Sequence, residues 1–138
     1  LVRGNVSVDW QMRPISEVAD HLHFIAKHAG NKPFAFTEIG YSASPLNGSS
    51  EEKQAEFVRE MFRVLTPYQK NDQISFILYS FMYDGPPEFT EPYAKEQGFV
   101  ASKEFHAFMG NLGLRSYETG KPRKAWNAFV AGVKKWNK

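Results

Sequence analysis

The sequence predicts an α/β fold in which parallel strands alternate with helices. Residues 33–39, Pro-Phe-Ala-Phe-Thr-Glu-Ile, and 74–83, Ile-Ser-Phe-Ile-Leu-Tyr-Ser-Phe-Met-Tyr, are short and almost continuously apolar, the pattern of strands covered on both faces. Their starts lie about 40 residues apart with one amphipathic stretch between, the length of a single β-α-β unit. Each run opens at its carboxyl end into a loop rich in Gly, Ser, Asp or Pro. In parallel α/β folds, chemistry gathers at those ends.

In chain order, Asn5-Val6-Ser7-Val8-Asp9-Trp10 alternates like a short strand. Pro14 suits a first helical turn, and Ile15, Val18, Ala19, Leu22, Ile25, Ala26 and Ala29 follow at helical spacing until Gly30-Asn31 stops the helix. In the first strong strand, Phe34, Phe36 and Glu38 share one face, while Ala35, Thr37 and Ile39 share the other. Glu38 therefore stands last in a buried row, where an ionised carboxylate is costly unless it is paired or has a task. It either salt-bridges, faces water, or acts. Ser49 and Glu52 have capping-box spacing, Ala55, Val58, Phe62 and Leu65 form the stripe of a sheet-covering helix, and Pro67 should close it. After the strand 74–83 and the turn at Asp84, residues 88–98 read as a long loop carrying Phe89, Tyr93 and several acids. Ala101 to Met109 and Pro122 to Trp136 read as two further helices.

Composition narrows the function. The 138 residues suit one compact domain or part of a larger one. The chain begins at Leu1 rather than Met and reads as a piece of a longer protein. A net charge of +2, with no basic run interleaved with aromatics, argues against nucleic acid. Lys134-Lys135-Trp136-Asn137-Lys138 reads as a helix end whose cations suit the dipole. There are no cysteines, so no disulfide and no thiolate metal site. No apolar run is long enough to span a membrane. No GxGxxG or GxxxxGK[ST] follows either strand, which argues against nucleotide binding, and there is no GxSxG elbow around Ser42 or Ser44. His21 and His23 point to different sides of one helix, while His21 and His28 share a face that solvent suffices to explain, so neither a metal nor a cofactor is expected. Tyr79, Phe81 and Tyr83, with Tyr41 and Trp10, lie near predicted strand ends. Aromatics there either pack the core or stack on sugar rings, whose faces are apolar and whose rims are polar.

The order of these features resembles a known family. Thr37-Glu38-Ile39-Gly40-Tyr41-Ser42 at a strand end, an aromatic strand leading to Asp84, then Gly113-Leu114-Arg115 and Gly120-Lys121-Pro122-Arg123-Lys124-Ala125-Trp126 are similar to the C-terminal part of (β/α)8-barrel glycoside hydrolases. The clan is the retaining one that includes cellulases, β-mannanases and endo-β-1,4-galactanases. The resemblance implies that residues 1–138 are a partial barrel, roughly strands six to eight with their helices. Glu38 would be the catalytic nucleophile, at the end of strand seven. Tyr41 would hydrogen-bond or orient it, and Trp10, Tyr79, Tyr83 and Asp84 would bind substrate. Tyr79 stands where the clan usually has Trp, and Arg123 interrupts the usual Pro-Lys order. The clan's acid/base Glu has no counterpart here; a whole barrel takes roughly 250 residues. The resemblance thus implies hydrolysis of a β-linked polysaccharide or oligosaccharide by retaining double displacement, no cofactor, and a secreted or extracellular setting favoured by that substrate. The partner would be the rest of the barrel, or a second copy docked through the open sheet. The alternative is a small open α/β domain that binds a ligand or partner without catalysis.

Overall fold

The computed structural model describes residues 9–98 and 100–136. It is a mixed α/β fold with a parallel β-α-β unit at its centre. Helix α1 (Ile15–Ala29) precedes strand β1 (Phe34–Ile39); α2 (Glu51–Lys70) leads to β2 (Ile74–Tyr79). Helices α3 (Pro87–Gln97), α4 (Lys103–Met109) and α5 (Lys124–Trp136) follow. β1 and β2 pair in parallel, Phe34 beside Ile74, Phe36 beside Ile77 and Ile39 beside Tyr79, with register shifts between these pairs. The strand-like run at residues 5–10 falls mostly outside the described residues, and Asp9 and Trp10 are not in a strand.

The core forms because α2 has a wide apolar stripe. Val58, Met61 and Leu65 on it have no solvent exposure, and burying each contributes about 1.5–3 kcal/mol relative to leaving it exposed. α2 packs against α1 on one side and α5 on the other. Phe36, Ile74 and Tyr79 of the sheet close the same cluster together with Val18 and Leu22 of α1. The opposite side of β2 is bare: Phe76 is 52% and Leu78 56% exposed. The helices cover Phe36 and Tyr79, and the other row of β2 meets solvent.

α4 and α5 each begin two residues later than their sequence suggests, and four larger differences from the sequence reading each have a physical reason. Ser50, not Ser49, caps α2, its hydroxyl accepting the Lys53 amide at 3.2 Å. α2 runs through Pro67 to Lys70, because Pro67 and Arg63, whose carbonyl it cannot serve, both lie on the exposed side. β2 ends at Tyr79 rather than Tyr83. Residues 81–84 leave β1 and pair with the strap at 114–115, through Leu114 N to Phe81 O, Arg115 N to Met82 O and Asp84 N to Arg115 O. The expected loop at 88–98 is helix α3, started by Pro87 at its first position and tolerating the exposed Pro92 within. With α4 it holds a second cluster, Ala94, Phe105 and Met109, against which Trp10, Phe81, Tyr93 and Phe108 pack.

Candidate functional site

The carboxyl ends of β1 and β2 lie side by side, and a carboxylate is found at each. Glu38, the penultimate residue of β1, is exposed and makes no hydrogen bond or ion pair with any described residue. It edges a cleft of about 280 Å³ whose walls are mostly apolar: Val18, Leu22 and Ile25 of α1, Phe36 and Ile39 of β1, and Phe57 of α2. His21 is its other ionisable neighbour there. A register shift falls between Phe36 and Ile39, across Glu38. Phe36 is buried as the alternation requires, whereas Glu38 is turned to solvent instead of ending a buried row.

Asp84, in the turn beyond β2, is the reverse. It is 5% exposed and fixed from three directions. Arg123 Nη2 donates to its Oδ2 at 2.7 Å, the Gly113 amide donates to its Oδ1 at 3.0 Å, and the Tyr117 amide reaches Oδ2 at 3.4 Å. Arg123 also donates to Glu51 at 3.1 Å and to Asn111 at 3.3 Å. Burial pushes the Asp84 carboxyl above its ordinary value, against the pull of Arg123 and the two amides. Gly113 is required at its place: a Cβ there would overlap the backbone of Tyr83 and Asp84.

Beneath this pair lies Gln54, fully buried on the apolar stripe of α2. Its Nε2 lies within donating reach of four carbonyls, those of Tyr41, Asn111, Leu112 and Gly113, at 2.9–3.3 Å. One side chain thus ties the loop after β1 to the strap after α4. Asn47, also fully buried, does the same further along the loop, donating to the carbonyls of Trp10 and Glu104 at 3.0 Å each. Neither residue, nor the Arg123 partnership, was foreseen. The signal available was a lone amide within an otherwise apolar helical face at Gln54, the kind of buried polar group that must find partners.

The residues expected to serve Glu38 are placed differently. Tyr41 is 5% exposed, stacked on Phe57 at 4.9 Å, and its hydroxyl donates to the Arg13 carbonyl at 2.6 Å rather than to Glu38. Burial, then the charge of Glu56, push its pKa up. Tyr79 is a core residue, 8% exposed with its ring edge-on to Phe129. Its hydroxyl makes no well-formed hydrogen bond among the described residues, and burial raises its pKa strongly against the pull of the Tyr41 backbone and the Gln54 side chain beside it. No sugar reaches either ring in this arrangement. Trp10 is half-buried against Phe105 and Phe108, at 4.8 and 5.1 Å. Tyr83 alone of these aromatics is exposed, with the Arg115 guanidinium over its ring at 5.8 Å. Arg115 lies at 5.4 Å over Trp126 as well, so it bridges the β2 exit to α5. Among the described residues no cluster of three or more His, Asp or Glu is arranged to hold a metal ion, and no helix is long and apolar enough to cross a membrane. No protein-family model, curated protein or solved structure matches the chain.

Proposed function

We propose that this chain is the C-terminal part of a (β/α)8-barrel retaining glycoside hydrolase acting on a β-linked polysaccharide or oligosaccharide, with Glu38 as its nucleophile. The observation that carries the reading is Glu38 itself: an exposed carboxylate without an ion-pair partner among the described residues, at the carboxyl end of a parallel strand. A structural carboxylate would be expected to have what Asp84 has. Glu38 attacks the anomeric carbon, and a second carboxyl group, outside these residues, protonates the leaving oxygen from about 5–5.5 Å away and then activates water to release the sugar. Two further features support the reading. α1, α2 and α5 all pack over one side of the sheet, as the outer helices of a barrel do, while Phe76 and Leu78 on the other side are bare. Alone, the chain would cover that face by self-association. Of the proposed substrate contacts, Tyr83 is the one whose ring is accessible.

The test uses the longer barrel chain. Glu38→Gln removes the attacking charge and keeps the shape, so turnover of a β-linked oligosaccharide should fall by several orders of magnitude with the fold intact. Near-normal turnover in that variant would sink the assignment and leave the non-catalytic binding domain as the better account.

A further inference from the structure

A cleft of about 400 Å³ lies along the seam between α2 and α5, on the helical side of the sheet. It opens beyond the first two turns of α2, away from the strand ends that carry Glu38 and Asp84. We infer that this cleft binds a small amphipathic carboxylate, an apolar ring or short chain with one anionic head. The inference goes beyond the glycanase reading and does not depend on it.

Three observations carry it. The first is shape. Phe62 of α2 and Ala128, Ala131 and Gly132 of α5 form an apolar floor. Gly132 admits the Phe62 ring, which a Cβ would overlap, and each alanine adds only a methyl, so the seam stays open beside that ring. The volume falls within the range of small-ligand sites, about 300–1,000 Å³. The second is charge. Arg59, Arg63 and Lys135 also line the cleft, and no acidic residue does. Arg63 is held by Glu60, to which its Nε donates at 2.7 Å. Arg59 and Lys135, one on each helix, make no ion pair or side-chain hydrogen bond with any described residue. They leave an excess of positive charge beside a hydrocarbon floor, and a carboxylate is the head group that a guanidinium and an ammonium both accept. The third is the shortage of neutral polar groups. Thr66 is the one such side chain on the wall, and its hydroxyl already donates to the Phe62 carbonyl. A polyhydroxylated ring would find few partners there, and an organic cation would meet three like charges.

The test titrates hydrocinnamate into the ¹⁵N-labelled chain at neutral pH. Hydrocinnamyl alcohol is the uncharged control and inorganic phosphate the bare anion. The cleft lies across the sheet from Phe76 and Leu78, so association of chains through that bare face leaves it open. Hydrocinnamate should shift the amides of Arg59 to Thr66 and of Ala128 to Lys135 at concentrations where neither control does. Arg59→Gln and Lys135→Gln should each weaken binding about two- to fivefold, the range of exposed charge pairs, and the double variant about tenfold. Ala131→Trp, at an exposed position, should fill the cleft and abolish the shifts with the melting midpoint kept. If that variant melts early, the double variant decides alone, because both of its positions are exposed. Equal shifts from phosphate would reduce the cleft to a bare-anion patch, and equal shifts from the alcohol to a plain apolar groove. Either result, undiminished affinity in the double variant, or no saturable shift at millimolar hydrocinnamate would overturn the inference.

Discussion

Glu38, near the end of β1, and Asp84, in the turn beyond β2, belong to the carboxyl ends of the same parallel pair, and their surroundings are opposite. Asp84 is buried, raised in pKa by that burial, and held by a guanidinium and two backbone amides. Glu38 is exposed, and its carboxylate meets no donor among the described residues. The difference separates a carboxylate that organises the loops from one left available for chemistry. A buried charge persists only when its neighbours compensate it, and those neighbours then consume the lone pairs that a reaction would need. Asp84 is fixed by residues far off in the chain, Gly113, Tyr117 and Arg123, so it defines where the strap sits. Glu38 is positioned by its own strand, at the edge of the cleft between α1, β1 and α2.

The sharpest way to break the comparison is to strip Asp84 of its cation. Arg123→Met keeps most of the side-chain volume and leaves a buried carboxylate unpaired, so unfolding free energy should fall by about 3–5 kcal/mol in urea melts. The deficit should depend on pH, with a sign that follows from linkage. Burial already lifts the folded-state pKa of Asp84 above its ordinary 3.8, with Arg123 pulling it back; without Arg123 it rises further. A carboxyl whose folded pKa is raised favours folding fully below its unfolded value, and that contribution is lost as pH rises through the folded value. The variant should therefore lose most near neutrality and recover toward the wild type near about pH 4. Glu52, Glu60 and Glu104, whose pKa values are lowered by their partners, weaken both proteins on acidification and largely cancel in the difference. A deficit that stays constant with pH would mean that Arg123 acts through packing and not through Asp84.

Arg123 is delivered by α5, so the seam between α5 and α2 is the next place to press. Gly132 lies directly on Phe62, and a Cβ there would overlap its ring. Gly132→Ala should cost about 1–3 kcal/mol by forcing the helices apart, despite the better helix propensity of Ala. Thermal melts measure this, and an unchanged or higher midpoint would show that the Phe62 ring swings aside freely.

How much of this was legible before the structure depends on how local the cause was. α1 runs from Ile15 to Ala29 as its spacing and its Gly30 stop indicated, and Gly30 takes the φ of 61° that makes it a good terminator. The parallel β-α-β unit was equally visible, because two apolar runs around one amphipathic helix allow few other arrangements. Glu38 at a strand exit was legible too, though its exposure was not, since a register shift cannot be seen in the alternation of residues. What escaped was set by distant partners. β2 stops at Tyr79 because the strap at 114–115 takes over pairing from β1, and nothing in residues 80–83 announces it. Tyr79 and Tyr41 sit in the core because α5 and α2 cover them, where an aromatic near a strand end alone suggested a rim. α3 was hidden by Pro86, Pro87 and Pro92, which read as loop residues until Pro87 is placed at the first helical turn, where its missing N–H costs nothing.

Tyr79 offers a smaller test with the opposite sign. Its buried hydroxyl and Gln54 Oε1 each lack a well-formed hydrogen bond among the described residues, although the Gln54 side chain and the Tyr41 backbone lie near enough to draw the hydroxyl's pKa down against burial. Removing an unpaired buried hydroxyl removes a desolvation cost, so Tyr79→Phe should hold or raise stability, by up to about 1 kcal/mol. A loss of more than that in urea melts would reveal a hydrogen bond to Tyr79 of real weight. Tyr79 would then belong with the Asp84 network and not with the plain apolar core.

The smallest expected effect is the one that sharpens the comparison most. Glu38→Gln alters an exposed side chain with no partner in the described structure, so the stability of this chain should stay within about 0.5 kcal/mol of the wild type. A near-silent change in stability is what separates removal of an available carboxylate from removal of an architectural one. Paired urea melts of Glu38→Gln and Arg123→Met under identical conditions decide it. If Glu38→Gln costs 1 kcal/mol or more, Glu38 has a structural partner after all, and its availability for attack on a sugar loses its main support.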